Sequence, residues 1–266
     1  MKVKVYSAEG EKIGDVELPE IFSTDVREDV IKRAFLAERS WKRQPYGADK
    51  LAGKRTSAHY HGRRNRRFTM MGREMARLPR IHGRSAGYLL WVARFAPQAV
   101  KGRRAHPPKV EKKWEQKINA REYLLAIKSA LAACANAAMV KKRGHRFEGE
   151  VPIVLSEDFE RLKKTKDVEK IFVKLGLEKE LERGKKKKVR AGKGKMRSRK
   201  YRKKRTMLIV FSKECDCMKA CRNLPGVDVT TADNLNVELL APGAHPGRLL
   251  VITVPALKKL ATLLKG

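Results

Sequence analysis

Three places in this chain carry residues whose types and spacing could do chemistry. His59, Tyr60 and His61 stand beside Arg63, Arg64, Arg66 and Arg67. On a rigid scaffold such a set could move protons at a phosphodiester, as an RNA-cleaving enzyme does. Cys215, Cys217 and Cys221 form a CxCxxxC cluster after an apolar run, and Gly192-Lys193-Gly194-Lys195 has the outline of a phosphate loop. Each falls short of its own chemical requirement. The histidines lie in a stretch punctuated by glycine at 47, 53, 62, 72, 83 and 87 and by proline at 45 and 79, which is poor ground for a preorganised pocket. Structural zinc takes four ligands in closely spaced pairs, and no fourth cysteine or histidine stands near the three thiols; Cys134 lies on an apolar helical face and reads as packing. A nucleotide-binding loop is GxxxxGK followed by Ser or Thr, directly after a strand. Here Met196 follows and basic residues come before. The expectation is a non-enzymatic protein with no catalytic residue, cofactor, metal or small-molecule substrate, in which His59 and His61 contact RNA.

The elements that would position these residues are dominated by charge. The chain has 266 residues, 63 Lys+Arg against 29 Asp+Glu, and a formal net charge of +34. A compact body with that charge repels itself unless a polyanion neutralises it, either nucleic acid or an acidic membrane surface. No apolar run approaches the ~20 residues that span a bilayer. MKVKVYSAEGEKIGD lacks the apolar stretch of a signal peptide, so a cytoplasmic protein with free thiols is expected. With aromatics at only 6%, a sheet that stacks bases on exposed rings is disfavoured.

Two segments hold most of the charge. Trp41–Pro107 contains 17 basic residues against Asp49 and Glu74, and Arg183–Arg205 contains 15 with no acid. The rest of the chain is close to neutral, the profile of a globular body with two basic extensions. The first extension could be a flexible linker, but linkers are rich in Gly, Ser and acids. This one mixes arginine with Tyr60, Phe68, Met70, Met71, Trp91 and Phe95. Arginine forks bind phosphate and stack on bases, while apolar groups fill grooves between RNA elements. Drawn out as a hairpin, its limbs of about 33 residues span at most ~100 Å, against a body radius near ~18 Å. It has too few large apolar residues to order itself without RNA.

The body reads as alternating short strands and helices. Lys2–Tyr6 and Ile13–Leu18 flank a turn at Glu9-Gly10 and form a hairpin. Asp25 and Glu28 are spaced as a capping pair for a helix through Val30, Ile31, Ala34 and Phe35 to about Ser40. Asn119 and Glu122 repeat the signal for a single alanine-rich helix that Gly144 stops. Apolar runs at Val151–Leu155, Met207–Phe211, Val227–Val229 and Leu249–Val254 then alternate with helical patterns at Phe159–Leu162, Val168–Leu175 and Ala256–Leu264. This rhythm predicts an α/β fold: a mostly parallel sheet flanked by helices in a Rossmann-like three-layer arrangement, with a long extended basic loop inserted. The expected organisation is a body of residues 1–40 and 108–266, a loop of 41–107, and a basic insertion at 183–205 within the body.

Several blocks in one order then carry a family resemblance over nearly the whole chain: QPYGADKLAGKRTSAHYHGRR, EMARLPRIHG, AVKGRRAHPPKVEKKW, RAGKGKMRSRKYRKKR and LPGVDVTTADNLNVELLAPGAHPGRL. The chain resembles the large ribosomal subunit protein four family in its archaeal form. The resemblance implies a structural constituent of the large subunit, a primary binder of large-subunit ribosomal RNA that acts early in assembly beside neighbouring ribosomal proteins. It also implies that the loop lines the polypeptide exit tunnel, with its tip around His59–Arg77. The implied RNA contacts of the loop are Lys42, Arg43, Lys54, Arg55, His59, His61, Arg63, Arg64, Arg66, Arg67, Arg73, Arg77, Arg80, Arg84, Lys101, Arg103 and Arg104, with Gly62 also at the tip. Those of the insertion are Lys185, Lys186, Lys187, Lys188, Arg190, Lys193, Lys195, Arg197, Arg199, Lys200, Arg202, Lys203, Lys204 and Arg205. Two features depart from the family. The bacterial loop is richer in glycine, so its tip geometry does not transfer, and the three-cysteine cluster is not a family signature. A free RNA chaperone or regulator is the alternative reading.

Overall fold

The structure is a computed structural model, and it describes residues 1–84 and 87–264. The chain divides into two compact units, one of Met1–Lys42 with Glu115–Gly266 and one of Arg43–Trp114.

The first unit is built on a six-stranded sheet. In chain order its elements are β1 (Lys2–Tyr6), β2 (Lys12–Glu17), α1 (Glu28–Trp41), α2 (Ala120–Ala135), α3 (Ala137–Lys142), β3 (Ile153–Leu155), α4 (Thr165–Lys174) and α5 (Glu178–Lys185). There follow β4 (Lys187–Val189), β5 (Tyr201–Lys203), β6 (Leu208–Phe211), α6 (Asp216–Arg222), β7 (Asp228–Thr231), α7 (Val237–Leu240), β8 (Leu250–Thr253) and α8 (Val254–Leu263). The strand order is β2-β1-β3-β8-β6-β7, and every pairing is parallel except β1 with β2. The predicted α/β class with a mostly parallel, helix-covered sheet is the observed one.

Side chains alternate across each strand, so a strand covered on both faces must be apolar at every position. Leu208 and Val210 of β6, with Leu250 and Ile252 of β8, join the core beneath α1, α2, α7 and α8. Ile209 and Phe211, with Leu249 and Val251, join a second core beneath α4, α5 and α6. All eight are buried completely. At ~25 cal/mol per Å² of apolar area, each such side chain contributes about 1.5–3 kcal/mol, so the two cores and not the charged surface stabilise the body.

Two local expectations are corrected. Asp25 and Glu28 form no capping box: α1 starts at Glu28, and its N-cap residue, Arg27, makes no side-chain capping bond. Instead Ser129 Oγ of α2 accepts from Arg27 N (2.6 Å) and donates to the Asp25 carbonyl (3.0 Å), a tertiary bond in the place of a local one. The alanine-rich helix is two helices, because Asn136 takes an extended conformation and its side chain accepts from Ala138 N and Met139 N to start α3. Two cysteines of the cluster lie on α6, a helix that the apolar pattern did not announce, with Cys215 at its N-cap. Cys217 and Cys221 of α6 pack wholly buried with their sulfurs 3.7 Å apart.

Candidate nucleic-acid interface

The insertion stands on a root built from buried polar groups. Glu180 of α5 is wholly buried and accepts from His145 Nδ1 (2.7 Å), from the Arg146 amide (3.0 Å) and from two nitrogens of Arg183 (2.5 and 2.8 Å). Burial alone would lift its carboxyl, but these donors outweigh burial and hold it below the usual carboxylate range. Burial pushes His145 down against the pull of Glu180, so the imidazole donates as a neutral group. Arg183 also donates to the Arg205 carbonyl (2.7 Å), which closes the two ends of the insertion on one side chain. Gly184 is needed there: a Cβ would stand 2.2 Å from the Pro225 carbonyl oxygen.

Between those ends the chain forms an antiparallel hairpin, with Lys188 opposite Arg202 and Lys187 opposite Lys203. None of its strand residues is buried, and Val189, Met196 and Tyr201 are all exposed. A hairpin this short and this charged is marginal alone. Arg183, Lys185 and Arg205 hold Glu180, Glu169 and Asp228. The other cations of the insertion, Lys186, Lys187, Lys188, Arg190, Lys193, Lys195, Arg197, Arg199, Lys200, Arg202, Lys203 and Lys204, have no acidic partner among the described residues. Lys187 and Lys200 lie over the Tyr201 ring (5.7 and 5.6 Å), and Arg190 Nε donates to the Arg199 carbonyl (3.0 Å).

Beside the hairpin lies a cleft of ≈ 950 Å³ whose walls include Lys142, Arg143, Arg183, Lys186, Lys188, Arg202 to Arg205 and His245, with Glu28 as the one acid. Arg143 is fixed by the Pro242 carbonyl (2.7 Å), and burial pushes its guanidinium down to about 10, still protonated at neutral pH. Sequence reasoning missed Lys142, Arg143 and His245. They come from α3 and from the chain after α7, so no local charge run signals them.

The second unit has little regular structure: a short 3₁₀ turn at Gly87–Leu89 and isolated bridges joining His59 with Arg80 and Arg80 with Ala93. Ser85 and Ala86 of the predicted loop lie outside the described residues. Gly53 lets the outgoing limb pass the returning one, since a Cβ there would stand 2.5 Å from Arg103 Cα. The predicted contacts separate into four groups. Arg55 pairs with Asp49 (2.5 Å), and Arg80 donates to the carbonyls of Trp91 (2.8 Å) and Ala76 (3.0 Å), so both are engaged internally. Lys42, which belongs to the first unit, pairs with Glu238. Arg43 lies over Trp114 (3.9 Å), Arg67 over Phe68 (4.8 Å), Arg73 over Trp91 (4.5 Å) and Arg103 over Phe95 (6.0 Å). Lys54, Arg63, Arg64, Arg66, Arg77, Arg84, Lys101 and Arg104 are exposed and have no acidic partner among the described residues. His59 and His61 gather with His82, which the sequence reading had not singled out.

The unit also carries strain and unmet bonding capacity. Of the seven non-glycine residues at positive φ among the described residues, five are here: Asn65, Phe68, Trp91, Phe95 and Lys101. Bulky residues in that region cost roughly 1–2 kcal/mol each and persist where the surroundings over-determine them. His61 Nε2, Arg80 Nε, His82 Nε2 and Trp114 Nε1 are buried without a hydrogen-bond partner, four of the five such side-chain atoms among the described residues.

No helix among the described residues is long and apolar enough to cross a membrane. A family model described as "Ribosomal protein L4/L1 family" matches residues 16–263. The chain is 51% identical over 262 residues to the large ribosomal subunit protein uL4 of Nanoarchaeum equitans, covering 98% of this chain and 97% of that one. It is 49% identical to the uL4 of Methanocaldococcus jannaschii and 48% identical to that of Archaeoglobus fulgidus, in each case over 98% of both chains. On that coverage and identity, the chain belongs to the ribosomal protein L4/L1 family.

Proposed function

We propose that this protein is a structural constituent of the large ribosomal subunit, not an enzyme, that binds large-subunit ribosomal RNA through its hairpin, its loop unit and the cleft beside the hairpin. It docks early in assembly, and the tip of the loop, around His59–Arg77, forms part of the wall of the polypeptide exit tunnel. The observation that carries this reading is where the unpaired charge sits. The hairpin presents twelve cations with no acidic partner and no buried side chain, a surface with no packing role in the body. Phosphate is the counter-charge that such a surface takes, and the strained, under-bonded loop fits a segment whose conformation RNA completes. Neighbouring ribosomal proteins are the further partners.

Co-sedimentation with large subunits through a high-salt cushion tests the proposal. A stoichiometric scaffold protein stays with the particle. Release into the supernatant, with comparable binding to unrelated RNAs, would instead identify a free RNA chaperone.

A further inference from the structure

We propose that His59, His61 and His82 form a binding site for a borderline divalent cation of the zinc class, with three imidazole nitrogens as ligands and the fourth position left to an oxygen donor. The inference is independent of the RNA reading, and it goes against the expectation from spacing alone that the chain has no metal site.

The backbone brings the three together. His59 and Arg80 exchange amide bonds (3.3 and 3.2 Å), and His82 lies two residues beyond that bridge. Ring centroids are 4.3 Å apart for His59 and His61, 4.2 Å for His59 and His82, and 4.4 Å for His61 and His82. One ligand atom from each ring lies within 4.8 Å of the other two. Tetrahedral zinc with Zn–N bonds of ~2.0–2.1 Å separates its ligand nitrogens by ~3.4 Å. No pair of ligand atoms therefore has to close by more than about 1.4 Å, a shift on the scale of side-chain rotation.

The bonding pattern favours coordination. His59 Nδ1 is 3.1 Å from the Ser57 carbonyl oxygen, which only accepts, so Nδ1 carries the proton and Nε2 presents its lone pair. That orientation by a backbone carbonyl is the usual support of a metal-ligating histidine. His61 Nε2 and His82 Nε2 are the buried, partnerless atoms of this cluster, and a metal ion would satisfy both. Phe68 stacks on His82 at 4.8 Å and walls off one side. The surrounding arginines oppose a further cation and lower its affinity without removing the donor set. Bound metal would tie His61 to His82 and so fix both ends of the segment that carries Arg63, Arg64, Arg66, Arg67, Arg73 and Arg77, reducing the entropy lost when that segment docks.

The test is a cobalt(II) titration of the full chain, freed of RNA at high salt. The expected result is one Co²⁺ per chain with the visible absorption of a four-coordinate site and no thiolate-to-cobalt charge transfer. His82→Gln should weaken binding by at least about 100-fold, since loss of even an outer-shell partner costs 10–100-fold. His106→Gln should change nothing. His82→Cys keeps a donor at that position and should add the thiolate charge-transfer band, which guards against a glutamine variant that merely misfolds. Three results would overturn the proposal: no saturable cobalt binding, equal affinity in His82→Gln, or thiolate charge transfer in the wild-type chain, which would place the metal on the cysteines.

Discussion

Removing Lys186–Lys204 and closing the gap with a two-residue turn tests whether the insertion is an RNA clamp or a solvated ornament. Lys187 pairs with Lys203 at the base of the hairpin, and Arg183 bonds the Arg205 carbonyl, so the ends are already adjacent and the root survives. The deletion takes away no buried side chain of β4 or β5, and the folding midpoint of the body should stay where it is. It removes the twelve cations that have no acid, while Arg183, Lys185 and Arg205 keep theirs. Each cation that displaces a counterion from RNA contributes about 0.7–0.9 to the slope of log K against log[salt]. If half of the twelve touch phosphate, the slope flattens by about 4; if all do, by about 11. A flattening of 4 means that, between ~50 and ~200 mM salt, the wild-type chain loses about 250-fold more affinity than the deletion variant. The assay is filter binding of both proteins to a large-subunit RNA fragment over that salt range. Parallel lines of equal slope would show that the insertion contacts no phosphate, and the proposed interface would then lie elsewhere on the molecule.

Deleting the tip, His59–Arg77, should leave initial docking on the same fragment within about tenfold, or ~1.4 kcal/mol, because the tip needs RNA folded around it. Reconstituted subunits lacking it should form but pass nascent chains, or bind tunnel-directed drugs, differently; abolished docking would refute this division of work. Arg248 is buried, yet it donates to the carbonyls of Thr206 (2.9 Å), Met207 (3.2 Å) and Leu239 (2.8 Å) and to Asp228 (2.7 Å). Arg248→Ala should cost about 3–5 kcal/mol in urea unfolding, and a loss under about 1 kcal/mol would show that these bonds are dispensable. The Glu180 cluster predicts acid sensitivity. Glu180 and His145 both titrate lower in the folded chain than in the unfolded one, so the unfolded state binds more protons and stability rises with pH. Their contribution should be complete above pH ~6.5 and decline as the pH falls through the histidine range and then the carboxylate range. Urea midpoints followed against pH should flatten in Glu180→Gln; a variant that tracks the wild type would remove the cluster from the explanation.

The elements that bury two faces were legible because their chemistry is local. Leu208–Phe211 and Leu250–Thr253 are apolar at nearly every position, and only a strand covered on both sides needs that pattern. The charge partition was legible for the same reason: like charges crowded along one segment need a counter-charge from outside, whatever the fold. Chain order alone could not supply contacts between segments far apart. The start of α1 is fixed by Ser129, more than a hundred residues on, so the capping signal at Asp25 misled. The cleft joins α3 and the chain after α7 to the hairpin, and Arg248, just ahead of β8, reaches Thr206 before β6 and Asp228 at the start of β7. His82 meets His59 and His61 only because the bridge to Arg80 folds the limb back. By itself the sequence determined which segments pack and which carry charge, because burial and Coulomb repulsion act on composition. The tertiary structure decided which distant side chains share a site, because a hydrogen bond or a metal ligand depends on ångström-scale distance, which spacing along a folded chain does not measure.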